Sequence, residues 1–141
     1  MTIRTSVPAL LFAIAACGTA FAARADKPAD TGREFNAAEY ETLNAAFARG
    51  AGPGSGPVLL RGYVPLYPVS RVLSGKTGVC VLEFTVDTAG KAVDVGRVRQ
   101  DDEKMCDHAV LSLRHWEFQP AMHDGVPQRT RHRIPITYSL K

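Results

Sequence analysis

An alternating segment, residues 78–86, is the feature that most constrains what this chain can fold into. Its even-numbered positions from 80 onward are apolar and share one face of an extended chain: Cys80, Leu82, Phe84 and Val86. Alternation with a period of two is typical of a strand buried on one side. Residues 87–90 form a tight connection, in which Gly90 can take the left-handed conformation of a hairpin loop. We therefore predict a β-hairpin with a return strand at 92–99 and a bulge at Gly96, where the apolar parity switches.

A helix is predicted over residues 104–116 to cover the apolar face of the hairpin. The acidic run 101–103 precedes it, and we expect these carboxylates to cap the helix rather than to bind a metal. Apolar side chains then recur at helical spacing: Met105, Ala109, Val110, Leu113 and Trp116. The helix must end soon afterwards, because Pro120 holds the preceding residue in an extended conformation.

Two cysteines, Cys80 and Cys106, are predicted to face each other across this hairpin and helix. Cys80 lies on the apolar face of its strand, and Cys106 lies in the first turn of the covering helix. In an oxidising compartment a disulfide between them would stabilise the fold by about 3–4 kcal/mol in the chain-entropy model. The alternative is two buried free thiols that pack as small apolar side chains. We favour the disulfide, with a purely structural role.

The last predicted strand runs from Arg131 and again alternates. Its inward positions are Ile134, Ile136, Tyr138 and Leu140. Pro135 falls on the outward parity, and because proline cannot donate to a ladder it is confined within sheets to edges and bulges. We therefore expect an edge strand, which can pair with another chain. The arginines at 129, 131 and 133 are interpreted as a solvated face, with an anionic partner as the alternative.

The N-terminus has the layout of an export signal. Arg4 supplies one positive charge, residues 5–23 carry none, and small residues around 20–25 offer cleavage sites after Ala22 or Ala25. We favour a signal peptide over residues 1–22. A lipoprotein signal that ends before Cys17, which would then be lipidated, and an uncleaved membrane anchor over 5–23 are the alternatives. All three readings place the chain outside the cytoplasm.

Between the signal and the predicted hairpin lie a helix and a linker. Residues 33–49 have apolar side chains at roughly helical spacing, and Asp30 or Thr31 is a candidate cap. Residues 51–57 are rich in glycine and proline and read as a flexible linker. We therefore divide the chain into a signal at 1–22, a helix and linker at 23–57, and a folded domain at 58–141.

Composition and motifs favour a binding module over an enzyme. Seventeen Lys+Arg against fourteen Asp+Glu give a net charge of +3, which falls short of a nucleic-acid arm. The sequence offers no local set of nucleophile, base and orienting residue, and no phosphate-binding loop. His108, His115, His123 and His132 lack the spacing of a zinc site and are interpreted as solvated surface residues. We expect no catalytic residue, no metal and no cofactor.

The stretch from Tyr63 to Lys141 resembles the C-terminal domain of TonB, the periplasmic energy transducer of Gram-negative bacteria. The resemblance rests on Tyr67-Pro68, the strand ending Phe84-Thr85-Val86-Asp87, Gly90 in the hairpin, the Leu113-to-Ala121 segment Leu-Arg-His-Trp-Glu-Phe-Gln-Pro-Ala, and Gly125-Val126-Pro127 before the last strand. It implies an α+β fold in which a three-stranded antiparallel sheet packs against helices. That fold agrees with the periodicities described above.

The resemblance also implies a periplasmic, non-catalytic module that grips an extended peptide of outer-membrane transporters as a strand added beside the last strand. Carried onto this sequence, the partner-binding residues are Arg61, Gly62, Tyr63, Val64, Pro65, Leu66, Arg131, Arg133, Ile134, Ile136 and Tyr138. Full transducers carry a histidine in their membrane anchor, and residues 5–23 hold none. The missing histidine counts against energy transduction, so an anchored transducer is only an alternative. A structural lipoprotein attached through Cys17, with peptidoglycan contact, is the other alternative. A homodimer formed through the exposed edge is left open.

Overall fold

The computed structural model describes residues 27–49 and 56–140. These form three helices and seven strands, in chain order α1 (Ala37–Ala48), β1 (Val58–Arg61), α2 (Val69–Leu73), β2 (Gly78–Val86), β3 (Ala92–Gln100), α3 (Glu103–Arg114), β4 (Glu117–Gln119), β5 (Ala121–His123), β6 (Val126–Gln128) and β7 (Thr130–Tyr138). The predicted signal peptide, the lipidation at Cys17 and most of the linker lie outside the described residues. Among the described helices, none is long and apolar enough to cross a membrane.

The centre of the fold is a three-stranded antiparallel sheet in the order β3-β2-β7. β2 has the bounds predicted from its alternation, and it pairs with β7 over its whole length, from Gly78 opposite Tyr138 to Val86 opposite Thr130. The α+β class and the three-stranded sheet predicted from the sequence are therefore confirmed. Two short antiparallel pairs, β1 with β4 and β5 with β6, were not predicted.

The hairpin between β2 and β3 turns at Gly90, as predicted. Gly90 has a φ of +79°, and a Cβ there would lie 1.9 Å from the Phe118 carbonyl oxygen, so only glycine fits. The single bulge predicted at Gly96 is wrong in its position. Gly96 itself pairs with Glu83, and the two register shifts lie on either side of it, one of them at the positive φ of Asp94. The pairing of β3 with β2 therefore shifts in two steps, one on each side of Gly96.

Helix α3 covers the apolar face of the sheet. Its N-terminus is capped by Asp102, whose carboxylate accepts from the Met105 N–H at 3.1 Å, which confirms capping by the acidic run. The inward side chains predicted for this helix are buried, although the helix ends at Arg114, before Trp116. Cys80 and Cys106 are fully buried and joined by a disulfide across β2 and α3, with Cα atoms 5.4 Å apart. Burial of both sulfurs agrees with the structural role predicted for the bond.

Helix α1 begins four residues later than predicted. Its cap is Asn36 rather than Asp30 or Thr31, and Asn36 and Glu39 form a reciprocal capping box, with bonds of 2.8 and 3.0 Å. The helix docks on the domain through Phe47, which is 4% exposed and packs against Phe84 and Phe118. The core of residues 58–140 is therefore shared with the helix that precedes the linker.

Two further expectations from the sequence are wrong. Leu140, predicted on the inward face, is 41% exposed, because β7 pairs with β2 only as far as Tyr138. His132, predicted to be solvated, is half-buried, with its ring 5.6 Å from that of Phe47 and 6.0 Å from that of Phe84. Burial lowers the pKa of His132 below its ordinary value.

Candidate functional site: the free edge of the central sheet

The outer edge of β7 carries backbone groups without partners in the described fold. The Asp101 N–H donates to the Val79 carbonyl at 3.2 Å, so odd-numbered residues of β2 point their peptide groups toward β3. Even-numbered residues of β2 consequently point theirs toward β7. Because each even residue of β2 pairs with an even residue of β7, the odd-numbered residues of β7 turn their N–H and C=O groups away from the sheet. These are Arg131, Arg133, Pro135 and Thr137.

Within residues 27–49 and 56–140, no backbone hydrogen bond reaches these four outward positions. Pro135 pairs with Val81 in register and is exposed. Its ring nitrogen, which carries no hydrogen, faces the free edge, and the internal ladder with β2 loses nothing. The edge-strand prediction made from Pro135 is therefore confirmed.

The opposite edge of the sheet, along β3, is protected in another way. Its two register shifts break the regular spacing of outward groups, which is how natural sheets blunt an edge. Arg97 and Arg99 form ion pairs there with Asp107 and Asp101. Of the two edges, β7 is the more regular template for an added strand.

A groove of about 200 Å³ runs beside the free edge of β7. Its β7 wall is residues 134–137, and its other walls come from α1, from the segment that precedes it, from the segment after β1 and from the turn between α3 and β4. The lining residues on those walls are Phe35, Glu39, Leu43, Val64, Pro65 and Trp116. Most of these side chains are apolar, and residues of the free edge of β7 line one side. This combination suits an extended peptide, which needs hydrogen bonds along its main chain and apolar contacts for alternate side chains.

Residues 62–64, in the segment before the Tyr-Pro motif, already have their backbone paired within the chain, unlike the edge of β7. Gly32 N–H donates to the Val64 carbonyl at 2.8 Å, and Phe35 N–H donates to the Gly62 carbonyl at 3.0 Å. A Cβ at Gly32 would lie 2.5 Å from the Val64 oxygen, so this close pairing requires glycine. Residues 32–35 thus pair with 62–64 as a short strand would, so a partner strand cannot take that side of the 62–64 backbone.

Several of the predicted partner-binding residues lie in the interior. The Tyr63 carbonyl accepts from Ser112 Oγ at 2.7 Å and from Trp116 Nε1 at 3.1 Å, all three residues being buried. The Tyr138 hydroxyl donates to the Met105 carbonyl at 2.8 Å, and burial raises the pKa of this phenol. These residues, together with Gly62, hold the scaffold and do not face the groove.

The groove brings together four of the predicted residues: Val64, Pro65, Ile134 and Ile136. Sequence reasoning missed the contributions of Glu39 and Leu43 of α1, of Phe35 in the segment before it, and of Trp116. The alternation of β7 could have identified Thr137, because it lies two residues after Pro135 and its backbone groups face the same free edge.

The outer face of β7 is cationic but internally paired. Arg131 and Arg133 contact opposite oxygens of the Glu83 carboxylate at 2.6 and 2.8 Å, and Arg131 also reaches Thr85 Oγ1. Arg133 and then Arg131 hold the pKa of Glu83 below its usual range. Two cations and one anion leave one net positive charge on this face, in line with the solvated interpretation of the stripe.

The one buried carboxylate of the described residues that forms ion pairs, Asp102, is accounted for by the fold. Its Oδ2 contacts Lys76 Nζ at 2.8 Å and Arg71 Nε at 2.9 Å, while Oδ1 accepts from the Met105 N–H. Lys76, the Met105 N–H and Arg71 together hold its pKa far below the usual range. No group of His, Cys, Asp and Glu residues able to hold a metal ion occurs in residues 27–49 and 56–140.

Comparisons with known proteins agree with this architecture. The family model described as Gram-negative bacterial TonB protein C-terminal matches residues 63–140, more than half of the chain. Among solved structures, the chain is similar to the C-terminal domain of TonB from Pseudomonas aeruginosa, determined by solution NMR, with a TM-score of 0.56 and 18% identity. That similarity covers 64% of this chain and 92% of the Pseudomonas domain. A comparison with curated proteins found no match. The chain therefore belongs to the family of Gram-negative bacterial TonB C-terminal domains.

Proposed function

We propose that this protein is a non-catalytic binding module of the periplasm that takes up an extended peptide as a fourth strand beside β7. Family membership makes the chain a TonB-like domain of the cell envelope involved in transport. The observation that supports strand addition is the row of unpaired backbone groups at residues 131, 133 and 137, set beside an apolar groove. An N-terminal segment of an outer-membrane transporter is the partner class that the family suggests.

The proposed site differs from the one carried over from the resemblance. The peptide contacts the backbone of β7 and the side chains of Val64 and Pro65, and it does not pair with the backbone of 62–64, because residues 32–35 already do so. Arg131 and Arg133 flank the added strand on the outer face, while Ile134 and Ile136 meet it in the groove. Arg61 and Leu66 are peripheral to this site.

Proline substitutions along β7 test the proposal, because neighbouring positions direct their N–H groups to opposite sides. Thr137→Pro removes one donor from the free edge and leaves the ladder with β2 intact. We expect roughly twofold to tenfold weaker peptide binding, the net worth of one hydrogen bond. Thr137→Ala is the matched control, since it removes the side chain and keeps the N–H. Ile136→Pro removes a donor from the internal ladder and is expected to destabilise the fold itself.

The binding assay is fluorescence anisotropy with labelled synthetic peptides that copy the periplasm-facing N-terminal segments of outer-membrane transporters from the same cell. Thermal unfolding of each variant checks that the fold is retained. Equal affinities of wild type, Thr137→Ala and Thr137→Pro for a peptide that binds would show that the partner does not pair with this edge.

Two alternatives concern how the domain is attached rather than what it binds. An anchored transducer would retain residues 5–23, and a lipoprotein would begin at an acylated Cys17. The intact mass of the protein purified from its native envelope separates these from a cleaved signal peptide. Peptidoglycan contact is tested by co-sedimentation with purified sacculi.

A further inference from the structure

We propose that Pro135 limits how strongly the free edge of β7 binds another strand, and that it makes the edge selective for a single peptide over a second copy of this chain. This inference rests on the function proposed above. It adds a residue that sets the strength and the partner preference of the site. It also assigns a role to a proline that the fold itself does not require.

Pro135 lies inside the edge rather than at its end. Arg131 and Arg133 precede it with two outward N–H groups, and Thr137 follows with one. A partner strand therefore finds donors on both sides of Pro135 and none at that position, although the Pro135 carbonyl still accepts. One carbonyl of the partner is left to water, which the exposed position of Pro135 allows.

The fold does not explain this proline. The nitrogen of Pro135 points away from β2, so a residue with an N–H would leave the Val81–Pro135 register and the internal ladder unchanged. Exposed edges favour pairing between identical copies, and natural sheets use proline to prevent it. At this outward position the missing N–H affects a partner strand and leaves the ladder with β2 unchanged.

Selectivity follows from counting the missing donors. A peptide that spans the edge meets Pro135 once and loses one hydrogen bond. Two copies of the chain that pair through their β7 edges in two-fold symmetry bring two prolines to the same interface and lose two hydrogen bonds. The penalty on self-association is therefore double the penalty on peptide binding.

Pro135→Thr restores the missing donor with a residue suited to strands. We expect a fluorescein-labelled short peptide of alternating valine and threonine to bind the variant roughly twofold to tenfold more tightly than wild type. Self-association, measured by sedimentation equilibrium without ligand, is expected to rise by roughly fivefold to a hundredfold, for two bonds. Pro127→Thr, at an exposed proline in the separate β6 strand, is the matched control and is expected to change neither measurement.

Thr137→Pro in the same titration distinguishes failure of this inference from failure of the proposed function. If Thr137→Pro weakens binding and Pro135→Thr leaves it unchanged, strand addition stands and the role of Pro135 is wrong. If neither substitution changes binding, both proposals are wrong. Tighter peptide binding by Pro135→Thr without increased self-association would overturn the selectivity and leave the limit on affinity in place.

Discussion

Replacement of Phe47 by alanine tests whether α1 is a structural part of the domain. The Phe47 ring is 4% exposed, and its centroid lies 5.4 Å from that of Phe118, 5.6 Å from that of His132 and 6.1 Å from that of Phe84. Phe→Ala substitutions at such buried positions lower the free energy of unfolding by about 3–5 kcal/mol, because they remove buried apolar surface and leave a cavity. A domain of this size has about 5–15 kcal/mol in total, so the loss should be large.

Urea unfolding followed by tryptophan fluorescence is a suitable assay. Trp116 is the only tryptophan of the chain, is 1% exposed, and its ring centroid lies 5.1 Å from that of Phe35, in the segment that leads into α1. Its emission therefore reports on the core and on the docking of this segment together. We expect a lower urea midpoint for Phe47→Ala, with the same slope if α1 and the sheet unfold as one unit.

Glu41→Ala provides the control, because Glu41 is an exposed residue of the same helix and alanine preserves helix propensity. Its effect should stay within about 0.5 kcal/mol. A loss of less than about 1 kcal/mol for Phe47→Ala, with unchanged emission of Trp116, would refute the conclusion that α1 shares the core.

Two further predictions concern stability. A Cys80→Ala/Cys106→Ala double variant should lose about 2–5 kcal/mol of unfolding free energy, measured by urea titration, and an unchanged midpoint would contradict a stabilising disulfide. His132 has a pKa below the ordinary 6.5 because of burial, so the unfolded state binds the proton more readily than the folded state. The unfolding free energy should therefore fall as the pH drops from about 6.5 through the lowered folded-state pKa, with no loss above that range. His132→Gln should remove this part of the pH dependence, and parallel profiles for the two proteins would count against it.

Local signals predicted much of the fold. The alternation of residues 78–86 predicted both ends of β2, because one buried face forces a period of two. Gly90 predicted the hairpin turn, and the acidic run predicted the cap at Asp102. Asn36 and Glu39 also carried a signal, since their spacing is that of a capping box, and it marks the true start of α1.

The candidate site was harder to predict from the sequence, because its walls come from segments that are far apart in the chain. The pairing of residues 32–35 with 62–64 follows no alternation, and it depends on the close approach of Gly32 to Val64. The contribution of Leu43 to the groove requires that α1 dock beside β7, which the weak apolar stripe of the helix did not establish. Pro135 did predict the edge strand from the sequence, because proline has no N–H to donate and is therefore confined to edges and bulges in any sheet.

The contact between Phe47 and His132 has a consequence for the order of folding. It joins the first helix of the described chain to its last strand, while β2, β3 and α3 between them are close in sequence and are tied by Cys80 and Cys106. Segments near in sequence meet quickly, and distant segments meet late. We therefore expect the hairpin and its helix to form first, and α1 and β7 to close over them afterwards. A chain lacking residues 130–138 would leave the rings of Phe47 and Phe84 partly uncovered, so we expect such a fragment to leave this core incomplete.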